Sequence, residues 1–159
     1  MGKKGTLPYV MAVTGAGGKT SFIRRLAWEG ASLGRRVLVT TTTHMARPEH
    51  LGVFTQQVRD VKSMLDRESV AVAGRLTGEG KISSLEPDFY ESICPEADLV
   101  LVEADGSKRL PLKVPRPGEP VIPGNTDMIL CVSGLTALGF PAADKCCRLD
   151  FALEIIEEH

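Results

Sequence analysis

The run Gly15-Ala16-Gly17-Gly18-Lys19-Thr20-Ser21 holds the residue types that grip a chain of phosphates. Small residues let successive backbone N–H groups turn toward anionic oxygens, and a helix that begins there adds its positive end. Lys19 is suited to reach the β and γ phosphates of a nucleotide, and the Thr20 hydroxyl to ligate the Mg²⁺ they carry. The spelling is shortened. The usual G-x-x-x-x-G-K-[ST] pattern wants glycine at position 13, where this chain has Val13, so its leading glycine is Gly15. All seven residues of the run are expected to bind the nucleotide, with Lys19 also serving the chemistry.

A second constellation is Asp98-Leu99-Val100-Leu101-Val102-Glu103-Ala104-Asp105-Gly106, an apolar stretch that ends in two carboxylates. Open parallel sheets bind their ligands at the C-terminal ends of such strands. Glu103 and Asp105 are two residues apart and share a side if the extended backbone continues. One would hold Mg²⁺, directly or through water, and the other would orient or activate the attacking water. Residue type does not decide which. The expected catalytic set is therefore Lys19, Glu103 and Asp105, and the expected metal set is Thr20, Glu103 and Asp105.

Other residues carry weaker signals, each with an ordinary alternative. Thr40 to Thr43 could complete a magnesium shell, although threonine is also simply a good strand residue. His44 could sense phosphate, ligate a metal or cap local backbone. Lys108, Arg109, Lys113 and Arg116 stud a proline-rich stretch that could close over an anion, present charge to a partner or stand in solvent. Arg75 could stabilise phosphate charge. The adjacent Cys146 and Cys147 could take a soft metal or a sulfur or selenium species.

To bring these groups together the chain needs strands alternating with helices. Short Val-, Leu- and Ile-rich runs predict strands at Tyr9 to Thr14, Arg36 to Thr41, Val70 to Ala73, Leu99 to Glu103 and Met128 to Val132, each buried on both faces. Phe22, Ile23, Leu26 and Ala27 recur at helical spacing, and Gly34 after Leu33 suits a left-handed helix end. A second helix is expected over Val61 to Glu68, and a third from Pro87, since proline fits a first helical turn. Residues 104–127 contain five prolines (Pro111, Pro115, Pro117, Pro120 and Pro123) and three glycines, so they read as a long loop or flap without regular structure. The ending Leu153 to His159 reads as a helix cut short. The expectation is one domain over residues 1–159, with an α/β fold of the P-loop type, a mostly parallel sheet layered between helices and truncated at its C-terminus.

Composition narrows the partners. The chain has 159 residues, 43% hydrophobic, with a formal charge of -1, and its basic residues are scattered, which argues against nucleic acid. No apolar run approaches the roughly 20 residues that span a bilayer, and the start lacks a secretory signal, so a cytoplasmic protein with no membrane partner is expected. The four cysteines show no C-x-x-C spacing and read as reduced thiols, with Cys131 packed in an apolar run.

Four segments taken in order, VTGAGGKTS, VLVTTTTHM, LVLVEADGSKRLPLK and EPVIPGNTDMILCVSGLTALG, give the chain a family resemblance from Val10 to Gly139. It resembles the YqeC-like family of accessory proteins for selenium-dependent molybdenum hydroxylases. The resemblance implies a role in maturing a molybdenum enzyme, whose hydroxylase or cofactor-handling proteins would be the partners. GAGGKT is also similar to the phosphate loop of the Mur ligases, which activate a carboxylate with ATP. Glu103-Ala104-Asp105-Gly106 is similar to the E-x-x-G element of metallochaperone GTPases. No N-K-x-D guanine-reading motif occurs, so ATP and GTP both stay open. The leading expectation is a Mg²⁺-dependent NTPase acting as a maturation factor. A small-molecule kinase or Mur-like ligase is the alternative, and a nucleotide- or cofactor-binding module without chemistry is the third.

Overall fold

The computed structural model describes residues 7–78 and 80–152. Tyr9–Gly15 forms β1, Lys19–Ser32 forms α1 and Val37–Thr41 forms β2. Then come β3 (His44–Ala46), β4 (Gly52–Val53), α2 (Val58–Glu68), β5 (Val70–Ala73), β6 (Arg75–Thr77) and β7 (Lys81–Ser83). The rest holds α3 (Pro87–Ile93), β8 (Leu99–Glu103), β9 (Leu112–Lys113), β10 (Met128–Val132), α4 (Ala142–Lys145) and β11 (Cys146–Cys147).

Six strands form one sheet in the order β10-β1-β8-β2-β5-β4, and every neighbouring pair is parallel. A parallel sheet is covered on both faces and so needs apolar side chains on both. Val10, Ala12 and Val13 of β1 and Val100, Leu101 and Val102 of β8 are all buried. On one face, Ile23 and Ala27 of α1 pack with Val13, Val37, Val39 and Leu101. On the other, Val61 and Leu65 of α2 and Ile93 of α3 pack with Leu38, Ala71, Val100 and Val102. The result is a three-layer α/β architecture.

The five expected strands all form, with bounds within one residue of the pattern. At the end of α1, Gly34 takes φ 74° and its N–H reaches Ala31 O, the left-handed exit that the sequence predicts. Two expectations need correction, and one further sheet is present. β10 is not buried on both faces: it is the outer strand of the sheet, and Met128, Ile129 and Cys131 are exposed. Residues 104–127 are not wholly irregular, because Leu112–Lys113 lies parallel to Cys146–Cys147 as β9 and β11. A three-stranded antiparallel sheet, β3-β7-β6, was not foreseen, since strands of three residues are too short to show a period. The helix expected over Leu153 to His159 lies outside the described residues. Among the described residues no helix is long and apolar enough to cross a membrane.

Candidate phosphate-binding site

The glycine run leaves the C-terminal end of β1 and enters α1. Gly15 and Gly17 take φ of 86° and 76°, and both lie hard against the exit of β10. A Cβ on Gly15 would stand 2.2 Å from Val132 O, and one on Gly17 would stand 2.6 Å from Gly134 Cα. Side chains are therefore excluded there by backbone contact as well as by conformation. Gly18, by contrast, faces open space and is the N-cap of α1, where no side chain caps the helix and no acidic residue occupies the first turn. First-turn N–H groups have no helical carbonyl to bond. Gly17 to Ser21 line a cleft of about 1200 Å³ with those donors.

Two of the expected donors are already engaged. Gly15 N–H donates to Asp105 Oδ2 at 3.1 Å, and Ala16 N–H donates to Val132 O at 2.7 Å. These residues fix the loop against its neighbours, and the cleft itself begins at Gly17.

Lys19, Thr20, Glu103 and Asp105 do converge. Lys19 Nζ donates to Gly15 O at 2.6 Å and stands 3.2 Å from Asp105 Oδ1, with both side chains nearly fully buried. Thr20 Oγ1 donates to Glu103 Oε2 at 2.8 Å. Glu103 continues the α1-facing side of β8 after Leu101, which is why it meets the helix start. Burial pushes the Glu103 carboxyl above its usual range, as does Asp105, while the Thr20 hydrogen bond and Lys19 oppose this. Carboxylates with raised pKa are suited to taking up a proton near neutral pH.

Behind Asp105 lies a chain of charge that sequence reasoning missed, buried at Asp105 and the Lys113 side chain and half-buried at Glu119 and Arg148. Lys113 Nζ is 3.3 Å from Asp105 Oδ2 and 2.7 Å from Glu119 Oε2, with its side chain 1% exposed. Arg148 Nη2 donates to Glu119 Oε1 at 3.0 Å. The Arg148 hydrogen bond and Lys113 hold the Glu119 carboxyl down at about 2. Only pairing in space reveals this relay, since Glu119 and Arg148 belong to no local motif.

The basic stretch therefore divides. Lys113 is an internal counter-ion, and Arg116 pairs with Glu119 at the surface. Lys108 and Arg109 line the cleft, as do His44 and Lys81. Both Lys108 and Arg109 take left-handed backbone, at φ 51° and 63°. Non-glycine residues in that region cost roughly 1–3 kcal/mol each, and such strain concentrates at ligand sites. Arg75 is turned elsewhere, onto Ser84 O and Glu86. Thr41 Oγ1 donates to Glu103 O at 2.8 Å, and Thr40, Thr41 and Thr42 line a different cavity. Cys146 and Cys147 lie on β11, where burial raises the Cys146 thiol, and among the described residues no cluster of three or more His, Cys, Asp or Glu could hold a metal unaided.

This constellation lies within a stretch of the chain that matches a known family. The model of the family described as YqeC protein matches residues 11–150. The chain belongs to the YqeC family. A relative from Escherichia coli (strain K12), named Uncharacterized protein YqeC, is 38% identical over 138 residues, which cover 83% of this chain and 54% of the relative. The chain thus spans about half the length of the curated relative it matches. No solved structure matches it significantly. Within the YqeC match fall the glycine run, both carboxylates and the Lys113, Glu119 and Arg148 relay.

Proposed function

We propose that this YqeC-family chain binds a nucleoside triphosphate with Mg²⁺ and hydrolyses it. The observation that carries this reading is the uncapped start of α1, which opens Gly18-Lys19-Thr20 onto the large cleft with Glu103 bonded to Thr20. Entry of phosphate would exchange the Lys19 contact with Gly15 O for charge-assisted bonds to phosphate oxygens. Asp105 would stay tied to the Gly15 N–H and to Lys113, which keeps the loop in shape. Lys108 and Arg109 stand at the rim to neutralise further charge.

Mg²⁺ usually keeps several waters and takes one or two carboxylates with substrate phosphates, rather than a full protein cage. The Thr20 hydroxyl and Glu103 carboxylate, 2.8 Å apart, fit that donor set. Bound there, the ion would supply charge neutralisation on the phosphates. Glu103 would accept a proton from attacking water directly or through a second water.

The four shared segments support a wider role as a cytoplasmic maturation factor for selenium-dependent molybdenum hydroxylases, in which loss of a γ phosphate releases the loops it held. Stimulation of hydrolysis by a cognate hydroxylase or its cofactor-handling proteins is the expected result, and full turnover without a partner would remove the gating role.

Thermal unfolding with Mg-ATP and with Mg-GTP, beside Lys19→Ala, tests the binding reading. Ligand at 100 times its dissociation constant stabilises by about 2.7 kcal/mol, which is roughly 5 to 10 °C for a domain of this size. One nucleotide should shift the wild type and leave the variant unmoved. No shift with either nucleotide, in a folded protein, would sink the reading.

A further inference from the structure

On the other face of the sheet from α1 is a second cavity, of about 560 Å³, that the phosphate chemistry does not use. Its floor is the C-terminal end of β2, its side is the start of α3, and its outer wall is the proline-rich segment Val121 to Asn125. That wall is tied at two points: Thr42 Oγ1 donates to Val121 O at 2.8 Å, and Tyr90 Oη donates to Asn125 Oδ1 at 3.0 Å. Of the two expectations for residues 104–127, a long ordered loop or a flap, this part is an ordered wall.

The chemistry of the lining differs from that of the phosphate cleft. Among the described residues that line it there is no lysine, arginine or histidine, and the one charged group is the Glu91 carboxylate. Leu85, Pro87, Tyr90, Ile122 and Pro123 give it flat apolar walls. An anion would meet no counter-charge there and one repelling carboxylate. The floor holds the second observation. Thr40 is 2% exposed, and its hydroxyl has no hydrogen-bond partner. Leu38 faces the α2 and α3 core while Val37 and Val39 face α1, so alternation along β2 sets Thr40 on the cavity side. Buried hydroxyls without partners are uncommon in native proteins, and a ligand that supplies the partner accounts for one at the floor of a cavity.

We propose that this cavity is a second small-molecule site, one that takes an uncharged or cationic ring compound up to about the size of a nucleoside and pairs it with the Thr40 hydroxyl. Its volume lies within the roughly 300–1,000 Å³ common for such sites. It stands back to back with the phosphate cleft: Thr41 and Thr42 line it, and both bond the carbonyl of Glu103, whose side chain faces the cleft. The ring compound binds whether or not a nucleotide occupies that cleft.

Ligand-observed NMR on the full 159-residue chain, with equal numbers of neutral, cationic and anionic heteroaromatic fragments, tests it. Neutral and cationic fragments should bind and anionic ones should not. Thr40→Val should weaken the bound fragments roughly three- to tenfold, the worth of one hydrogen bond. The same variant should melt no lower than the wild type, because a hydroxyl without a partner contributes nothing to folding. Val121→Trp, which fills the cavity from its exposed wall, should abolish binding. Lys19→Ala should leave it unchanged, so loss of the nucleotide reading and loss of this one are told apart. The site is refuted if no fragment binds, if anionic fragments bind best, if Mg-ATP displaces them as the base of a single bound nucleotide would, if both cavity variants leave binding intact, or if Thr40→Val melts lower.

Discussion

The cleft at the start of α1 and the second cavity share one edge of the sheet yet are made of different materials. The cleft is lined by Lys19, His44, Lys81, Glu103, Lys108 and Arg109, and is backed by the relay of Asp105, Lys113, Glu119 and Arg148. The cavity is lined by hydroxyls, rings and aliphatic groups, with a single carboxylate. Strand alternation divides them, because Glu103 follows Leu101 onto the α1 face while Thr40 follows Leu38 onto the α2 and α3 face. One sheet edge can therefore present two chemistries. Charge is concentrated where α1 begins, the place where a helix start and a lysine would together neutralise an anion.

If that division is right, damage to the two sides should differ in kind and in size. The largest effect is expected on hydrolysis from Glu103→Gln, a loss of about 10²- to 10⁴-fold, the contribution typical of a positioned acid or base. Hydrolysis assayed on the folded variant with Mg-ATP and with Mg-GTP measures it, and turnover equal to the wild type would take the catalytic role away from Glu103.

Next in size is Glu119→Gln, which leaves Lys113 buried with Asp105 as its one remaining carboxylate. Removing one partner of a buried pair costs about 3–5 kcal/mol, and the lower end is expected because Asp105 remains. Urea denaturation at neutral pH would measure it. The pH sign follows from a folded pKa near 2 against an unfolded value near 4.3. Wild-type advantage over the variant should be full above about pH 4.3 and should shrink as pH falls toward 2. A constant gap across that range would show that Glu119 does not act through its charge.

The smallest effect belongs to the neutral side. Tyr90→Phe removes the hydrogen bond to Asn125 and should cost about 1 kcal/mol in the same denaturation experiment. It should leave the nucleotide-induced melting shift intact. A loss of that shift would mean that the two cavities form one site.

The core of the fold was legible where strands are long and covered on both faces. β1, β2, β5 and β8 announce themselves because a parallel strand needs an unbroken apolar run, and α1 because Phe22, Ile23, Leu26 and Ala27 keep helical spacing. Met128 to Val132 has the same apolar signature, yet its exposure was misread, since an apolar run does not say whether a strand lies at the centre or the edge. The short strands β3, β6 and β7 carried no period to read. The convergence of Lys19, Thr20, Glu103 and Asp105 was legible because a glycine loop after one parallel strand and an acidic end on another both stand at the C-terminal edge of the sheet. Gly15 and Ala16 were read as phosphate donors, although Asp105 and Val132 hold their N–H groups.

By itself, then, the sequence determined the apolar strands, the loop between β1 and α1 and the two carboxylates at the end of β8, each of which rests on residues close together in the chain. Tertiary structure alone decided that Lys113 is an internal counter-ion while Lys108 and Arg109 face the cleft, although all three belong to one basic stretch. It also decided that Thr40 ends at the floor of a cavity without basic groups rather than in the cleft at the start of α1. The physical reason is that burial and pairing depend on which distant segment comes to rest against a residue: Glu119 and Arg148 are 29 positions apart, and nothing local in either one foretells their meeting.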